Sequence, residues 1–322
     1  MPHRLKWEEL PTEAINPDTL ALDKLPSSDI VELMMHDDRK VLAAVQREKS
    51  RIAVGVDLIV EGFRKGGRIL FVGAGTSGRL GLLESTEMPP TFGTPPQMVQ
   101  AIMAGGKDAA LQAKEGVEDR YDDGARAIKR LGPTGKDVVV GVSASGMTQF
   151  VRGALTVARK AGARIIFVTC DPGTELQTFV DLTIAPAVGP EVIAGSTRLK
   201  AGTATKLVLN MLTTAAMVRI GKTYGNLMVD VQTGSEKARA RAVWIVTIVT
   251  GLDHEESGRL LRRARWNTKV AIVMHKARLP YAKAISRLRR AHDSIREAIG
   301  EDLEPRLREL LFPAHEPPAP AR

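Results

Sequence analysis

Five short apolar runs recur along this chain with helix-length segments between them: Arg68–Val72, Met98–Met103, Asp137–Val142, Arg164–Thr169 and Leu182–Ala185. Runs such as VVVGV and IIFV show no polar alternation, as expected of strands buried on both faces. The stretches Gly78–Ser85, Lys107–Arg130 and Gln149–Ala161 between them read as helices. Strands joined by helical crossovers pair in parallel, because a tight hairpin can connect only antiparallel neighbours. The chain is therefore expected to be α/β, with a doubly wound, parallel five-stranded sheet.

The flanks read differently. Residues 1–40 are polar and broken by Pro11, Pro17 and Pro26, which predicts an extended arm and a short helix near Asp29–His36. A longer helix is expected over Asp38–Phe63, capped by Asp37 or Asp38. Thr203–Ile220 is apolar and free of proline, so it predicts a buried helix. A further helix starts at Ser235 and stops at Gly251. Residues 252–300 read as a three-helix unit with a turn at Pro280. The expected organisation is an arm (1–40), a sheet domain (41–250), a small helical C-terminal domain (251–300) and a tail (301–322). The closing HEPPAPAR reads as disordered.

Composition narrows the classes. Apolar residues make up 43% of the 322, enough for a sizeable core. No apolar run reaches the length of a membrane span, and MPHRLKWEELP lacks the apolar segment of a signal peptide. The single cysteine, Cys170, excludes an intrachain disulfide and fits a cytoplasmic setting. The six histidines are scattered, which argues against a metal site and leaves Cys170 without a base, so it reads as a packing residue. The formal charge is +9, and residues 251–322 hold 15 Lys+Arg against 10 Asp+Glu. Aromatics are only 4%, so no stacking platform accompanies that charge, and nucleic acid is not an expected partner.

The chemistry concentrates in three runs. After the first strand, Gly73-Ala74-Gly75-Thr76-Ser77-Gly78 leads into a helix. Such a turn aims backbone N–H groups and the positive end of the helix dipole at one point, which makes an anion site. The same glycines match a dinucleotide fingerprint, but the second strand ends in Ala104-Gly105-Gly106, with no carboxylate placed to hold a ribose. Gly75, Thr76 and Ser77 are thus candidate phosphate ligands. After the third strand, Ser143, Ser145, Gly146 and Thr148 form a second hydroxyl-rich turn before a helix, either a phosphate cradle or a plain Ser-rich cap. Two such turns at adjacent strand ends would converge on one phosphorylated ligand. Ser196 and Lys200, at the head of the buried helix, are caps or further ligand contacts. Glu87, before Pro89-Pro90, and Glu118, in EGVEDR, are candidate acid–base groups; by residue type alone each reads first as a solvated surface carboxylate, and Glu115, Asp119 and Asp122 crowd around Glu118.

The motifs TEAINPDT (12–19), GAGTSGRLG (73–81), STEMPPTFG (85–93), AGG (104–106), EGVEDR (115–120), ASGMT (144–148), VGPEVIAGSTRLKAGTATKLVLNM (188–211) and YGNLMVDV (224–231) resemble the N-acetylmuramic acid 6-phosphate etherases, which have the sugar isomerase (SIS) fold. The resemblance implies cleavage of the C3 lactyl ether of a muramic acid 6-phosphate, releasing D-lactate and N-acetylglucosamine 6-phosphate. The route opens the ring, removes the C2 proton, eliminates lactate and adds water. It implies no metal or redox cofactor, a homodimer, and Glu87 as proton donor to the leaving ether oxygen with Glu118 as its partner. It leaves open whether the reaction serves peptidoglycan recycling or nutrition. The family commonly reads ASGRTP in the second turn, where this chain has Met147 and Gln149, so a cation is missing beside the phosphate. Arg79 or Lys200 are the expected substitutes. A cysteine is usual where Met88 stands. Two other readings stay open: a SIS isomerase that removes the same proton and stops at a ketose, and a non-catalytic sugar-phosphate sensor. D-lactate release separates the first reading from both.

Overall fold

All five apolar runs become strands in the computed structural model, which describes residues 10–312. Expectations for the first nine residues and for HEPPAPAR lie outside that range. The strands are β1 (Ile69–Gly73), β2 (Val99–Met103), β3 (Val138–Val142), β4 (Arg164–Val168) and β5 (Leu182–Ile184). Every neighbouring pair is parallel, in the order β2-β1-β3-β4-β5. The chain therefore leaves β1 toward one edge and returns past it to β3, so a topological switch point lies between β1 and β3.

The helices that precede and cover the sheet are α1 (Ser27–Arg47), α2 (Lys49–Arg64), α3 (Gly75–Phe92), α4 (Asp108–Leu111), α5 (Tyr121–Leu131), α6 (Gln149–Lys160) and α7 (Lys200–Arg219). Leu70, Val72, Val139, Ile165 and Phe167 share one face and pack against Phe150, Val151 and Leu155 of α6. The opposite face meets α3 at Phe71 and α2 at Leu182 and Ile184. Both faces are covered, as the unalternated strands require. Helices α5 and α6 approach so closely that a Cβ on Gly153 would lie 2.0 Å from the Tyr121 carbonyl oxygen. Only glycine permits that approach without the helices moving apart.

Several boundaries differ from expectation. The helix expected from Asp38 starts at Ser27, so Asp37 is a mid-helix residue and caps nothing. The break falls at Glu48, whose carboxylate accepts the Ala185 N–H at 3.1 Å and pairs with Arg51 at 3.0 Å. The helix expected over Lys107–Arg130 stops at Leu111 and resumes at Tyr121, with Gly116 at a positive φ of 70° between. Helix α3 begins inside the glycine turn and runs through Pro89 and Pro90 to Phe92.

The described chain divides into two compact units, one through Met88 plus Pro95–Ala216, the other Pro89–Thr94 plus the residues from Met217 on. The second contains α8 (Glu236–Thr250), α9 (His254–Arg263), α10 (Thr268–Lys276), α11 (Tyr281–Arg290), α12 (Ile295–Ile299) and α13 (Glu304–Leu311). Helix α8, expected in the sheet domain, instead joins Val243, Val246 and Val249 to the same core as Leu261, Ile272 and Ile295. Residues 252–300 form four helices rather than three, because Ser294 caps a separate short helix by accepting the Glu297 N–H at 3.2 Å.

At the N-terminal end of the sheet, Asp137 accepts hydrogen bonds from the Arg68 and Thr134 backbone N–H groups, both at 2.8 Å, and pairs with the Arg68 guanidinium at 2.8 Å. Burial pushes the Asp137 carboxyl up, but these donors outweigh it and hold it below its ordinary value of 3.8. A carboxylate held low contributes stability that is present above that ordinary value. The contribution is lost as pH falls from there through the lower folded value. Acid unfolding of the wild type should therefore steepen below about pH 4, and Asp137→Asn should remove that part of the slope. Superimposable acid-unfolding curves for the two proteins would contradict the assignment.

Candidate functional site

The two turns expected to hold an anion meet at the switch point. A Cβ on Gly73 would lie 2.6 Å from the Gly78 nitrogen, so two glycines let the start of α3 sit directly on the end of β1. Gly75 has φ +52° and opens the helix, which leaves N–H groups of the first turn, at Thr76 and Ser77, without intrahelical acceptors. At the end of the neighbouring β3, Ser143 and Thr148 hydroxyls lie 2.8 Å apart, and Thr148 occupies the N-cap of α6. Two helix N-termini thus open side by side at adjacent strand ends, the arrangement that favours a bound anion.

A cavity of about 260 Å³ occupies this position. Its wall includes Gly75, Thr76, Ser77, Ser143, Ser145 and Thr148, together with Glu118, Arg79, Lys114 and Thr197. Glu118 lies on the turn between α4 and α5 rather than in a helix, and it is half-buried. Its backbone carbonyl accepts the Phe150 N–H at 2.8 Å, so the first turn of α6 places both the hydroxyl ladder and this carboxylate-bearing turn. Arg79 donates from Nε and Nη2 to the carbonyls of Ala110 and Ala109 at 3.0 and 2.9 Å, which ties the end of α4 to α3.

The structure redistributes the remaining candidates. Gly146 has φ +75° and lines a smaller neighbouring hollow with Met147 and Gln149, not the cavity itself. Ser196 is half-buried and outside the wall, whereas the next residue, Thr197, is part of it. Lys200 is a correction in placement: its ammonium is buried, pairs with Asp37 at 2.5 Å and donates to the Pro190 carbonyl at 2.7 Å. It cannot replace the cation missing at Met147. Arg79 and Lys114 bring positive charge to the wall instead. Lys114 was not singled out from the sequence, although it directly precedes EGVEDR. Glu191, also missed, accepts the Lys200 and Ala201 N–H groups at 3.0 and 2.9 Å and so caps α7 and fixes the loop carrying Thr197. Burial raises the Glu191 carboxyl, and those two donors oppose the rise. Burial pushes the Cys170 thiol up to about 12, as befits a packing residue.

Residues 51–159 match the family model described as Glucokinase regulatory protein N-terminal SIS domain, and residues 133–215 match SIS domain. The chain is 46% identical over 295 residues to "N-acetylmuramic acid 6-phosphate etherase 2" of Vibrio cholerae, covering 92% of this chain and 96% of that protein. The chain belongs to the N-acetylmuramic acid 6-phosphate etherase family. A relative of that name from Trichormus variabilis is 48% identical over 289 residues, covering 89% of this chain and 94% of its own. A solved phosphoheptose isomerase from Francisella tularensis is 18% identical with a TM-score of 0.48, and covers 60% of this chain and 100% of that one.

Of the two carboxylates that the resemblance to these etherases singles out, only Glu118 borders the cavity. Glu87 is exposed on α3. Ten residues separate it from Ser77, about 15 Å along the helix axis. Among the described residues no helix is long and apolar enough to cross a membrane.

Proposed function

We propose that this chain is a lyase that cleaves the lactyl ether of N-acetylmuramic acid 6-phosphate, giving N-acetylglucosamine 6-phosphate and D-lactate. One observation carries the reading: two helix N-termini, a hydroxyl ladder and Glu118 share one cavity in a chain of the etherase family. Gly75, Thr76, Ser77, Ser143, Ser145 and Thr148 hold the phosphoryl group, with Gly146 shaping the turn behind them. The opened sugar then extends toward Glu118, which removes the C2 proton next to the aldehyde. The C3–O bond breaks, its electron pair leaves on the lactyl oxygen, and an acid protonates that oxygen. Water then adds across the C2–C3 double bond: its oxygen restores the hydroxyl at C3, and a proton returns to C2.

Glu87 serves as that acid from a second copy of the chain. Within one chain, α3 carries it away from the phosphate turn by more than the length of a hexose phosphate. A homodimer in which the partner's Glu87 enters each cavity brings the two carboxylates together. Sugar phosphates are retained by membranes, so the reaction belongs in the cytoplasm, where peptidoglycan recycling would supply the substrate.

Incubation of the full chain with N-acetylmuramic acid 6-phosphate in ¹⁸O-labelled water should release D-lactate and place ¹⁸O on C3 of the sugar product. In deuterated water, C2 should acquire deuterium. No lactate, or lactate with solvent oxygen in the acid and none in the sugar, would overturn the proposal.

A further inference from the structure

A second positively charged cavity, of about 230 Å³, lies wholly within the C-terminal unit. Lys222 and Lys269 reach the same oxygen, Oδ2 of Asp230, at 3.0 and 2.6 Å. Asp230 belongs to YGNLMVDV, a motif the proposed reaction does not use. The Lys269 side chain is only 5% exposed and also donates to the Asp293 carbonyl at 2.9 Å. Arg289 and Asn267 complete the polar wall.

Two ammonium groups sharing one carboxylate oxygen leave a buried cation incompletely compensated, which is costly away from water. Counting side chains on the wall, three cations face two carboxylates, Asp230 and Asp293. The donors are in surplus as well. Among the described residues, Lys222 is paired only with the shared Asp230 oxygen, so N–H groups of its ammonium stay available, and the Arg289 guanidinium on the wall has no ion-pair partner. Asn267 accepts the Val270 N–H at 2.9 Å with its oxygen, which leaves its amide N–H groups available. Burial pulls the Lys269 ammonium below the ordinary lysine value, with the Asp230 carboxylate opposing, as expected of a cation short of negative partners. The wall is closely packed. Gly221, with φ +79°, precedes Lys222 and packs on the Asp293 backbone, where a Cβ would lie 3.1 Å from its carbonyl oxygen.

We propose that this cavity is a second anion site, where Lys222, Lys269, Arg289 and the Asn267 amide hold a phosphate dianion. Unlike the cleft at the sheet, it uses side-chain cations rather than helix N-termini and hydroxyls. The proposal does not depend on the etherase reading.

Inorganic phosphate titrated into the ¹⁵N-labelled full chain, against chloride at matched ionic strength, should shift the amides of 222, 230, 269 and 293 saturably. The double variant Lys222→Met/Arg289→Ala leaves Lys269 as the one cation facing Asp230 and Asp293. It should weaken that response by about tenfold or more, while amides 75–77 and 145–148 respond as in the wild type. Shifts confined to the cleft amides, or equal affinity at 222 and 269 in the double variant, would overturn the proposal. Should the double variant fail to fold, Arg289→Ala alone changes an exposed side chain. It should weaken the response several-fold, and an unchanged response would be equally decisive against the site.

Discussion

Replacing Glu118 by Gln should lower kcat for D-lactate release by roughly 10²–10⁴-fold, the range expected when a positioned proton-transfer group is removed. The amide keeps the shape and most of the polarity of the carboxylate. The bond from the Phe150 N–H to the residue 118 carbonyl is made by the backbone, so the turn stays where it is. The turns proposed to hold the phosphate are untouched, and KM should move little. The loss therefore falls on kcat, the pattern of an interaction used only in the transition state. Deuterium entry at C2 should fall with it if, as proposed, the same group removes that proton. A Glu118→Gln protein with wild-type turnover would remove Glu118 from the mechanism, and with it the proposed orientation of the sugar.

Mixing two inactive variants should restore activity. In the proposed homodimer, Glu87→Gln and Glu118→Gln proteins each lack one group in both sites. In a mixed dimer, one site combines the intact Glu118 of one chain with the intact Glu87 of the other, and the second site lacks both. Random exchange makes about half the dimers mixed, each with one working site of two, so turnover should recover to about a quarter of wild type in a twofold-symmetric assembly. If both carboxylates acted from the same chain, every site in the mixture would lack one of them, and no activity would return. Coexpression with two different affinity tags isolates the mixed dimer and makes the comparison direct. This experiment reads the placement of Glu87 and is insensitive to the overall stability of either variant.

The sheet was legible from the chain because burial on both faces leaves a plain signal. Each strand expected from an apolar run lies within a residue or so of its observed span, and the crossover pattern alone implies parallel pairing. The two turns that open the helix N-termini were legible for a similar local reason. A strand end, glycines and hydroxyls within six residues dictate where backbone N–H groups point, whatever the rest of the molecule does. Glu118 borders the cavity, but it was expected on a helix and lies on a turn. Its turn is held by a bond to Phe150, 32 residues away, and no local pattern encodes that bond. Lys200 and Asp37 were misjudged together. Each reads locally as a polar helix-end residue, yet they neutralise one another in a buried pair that links α1 to α7.

The amino-acid sequence by itself determined the parallel α/β architecture, the two glycine- and hydroxyl-rich turns at strand ends and membership of the etherase family, because these rest on local periodicity and on contiguous motifs. Only the tertiary structure decided which charged residues face the cavity, that Arg79 and Lys114 rather than Lys200 bring the positive charge, and that Glu87 stands away from it on its own chain. It also decided that α8 belongs with the C-terminal helices and that Lys222, Asp230 and Lys269 meet. These are matters of which distant segments share a dielectric environment. Side chains far apart in the chain acquire partners only when packing brings them together, and a charge finds its role in the partner that compensates it.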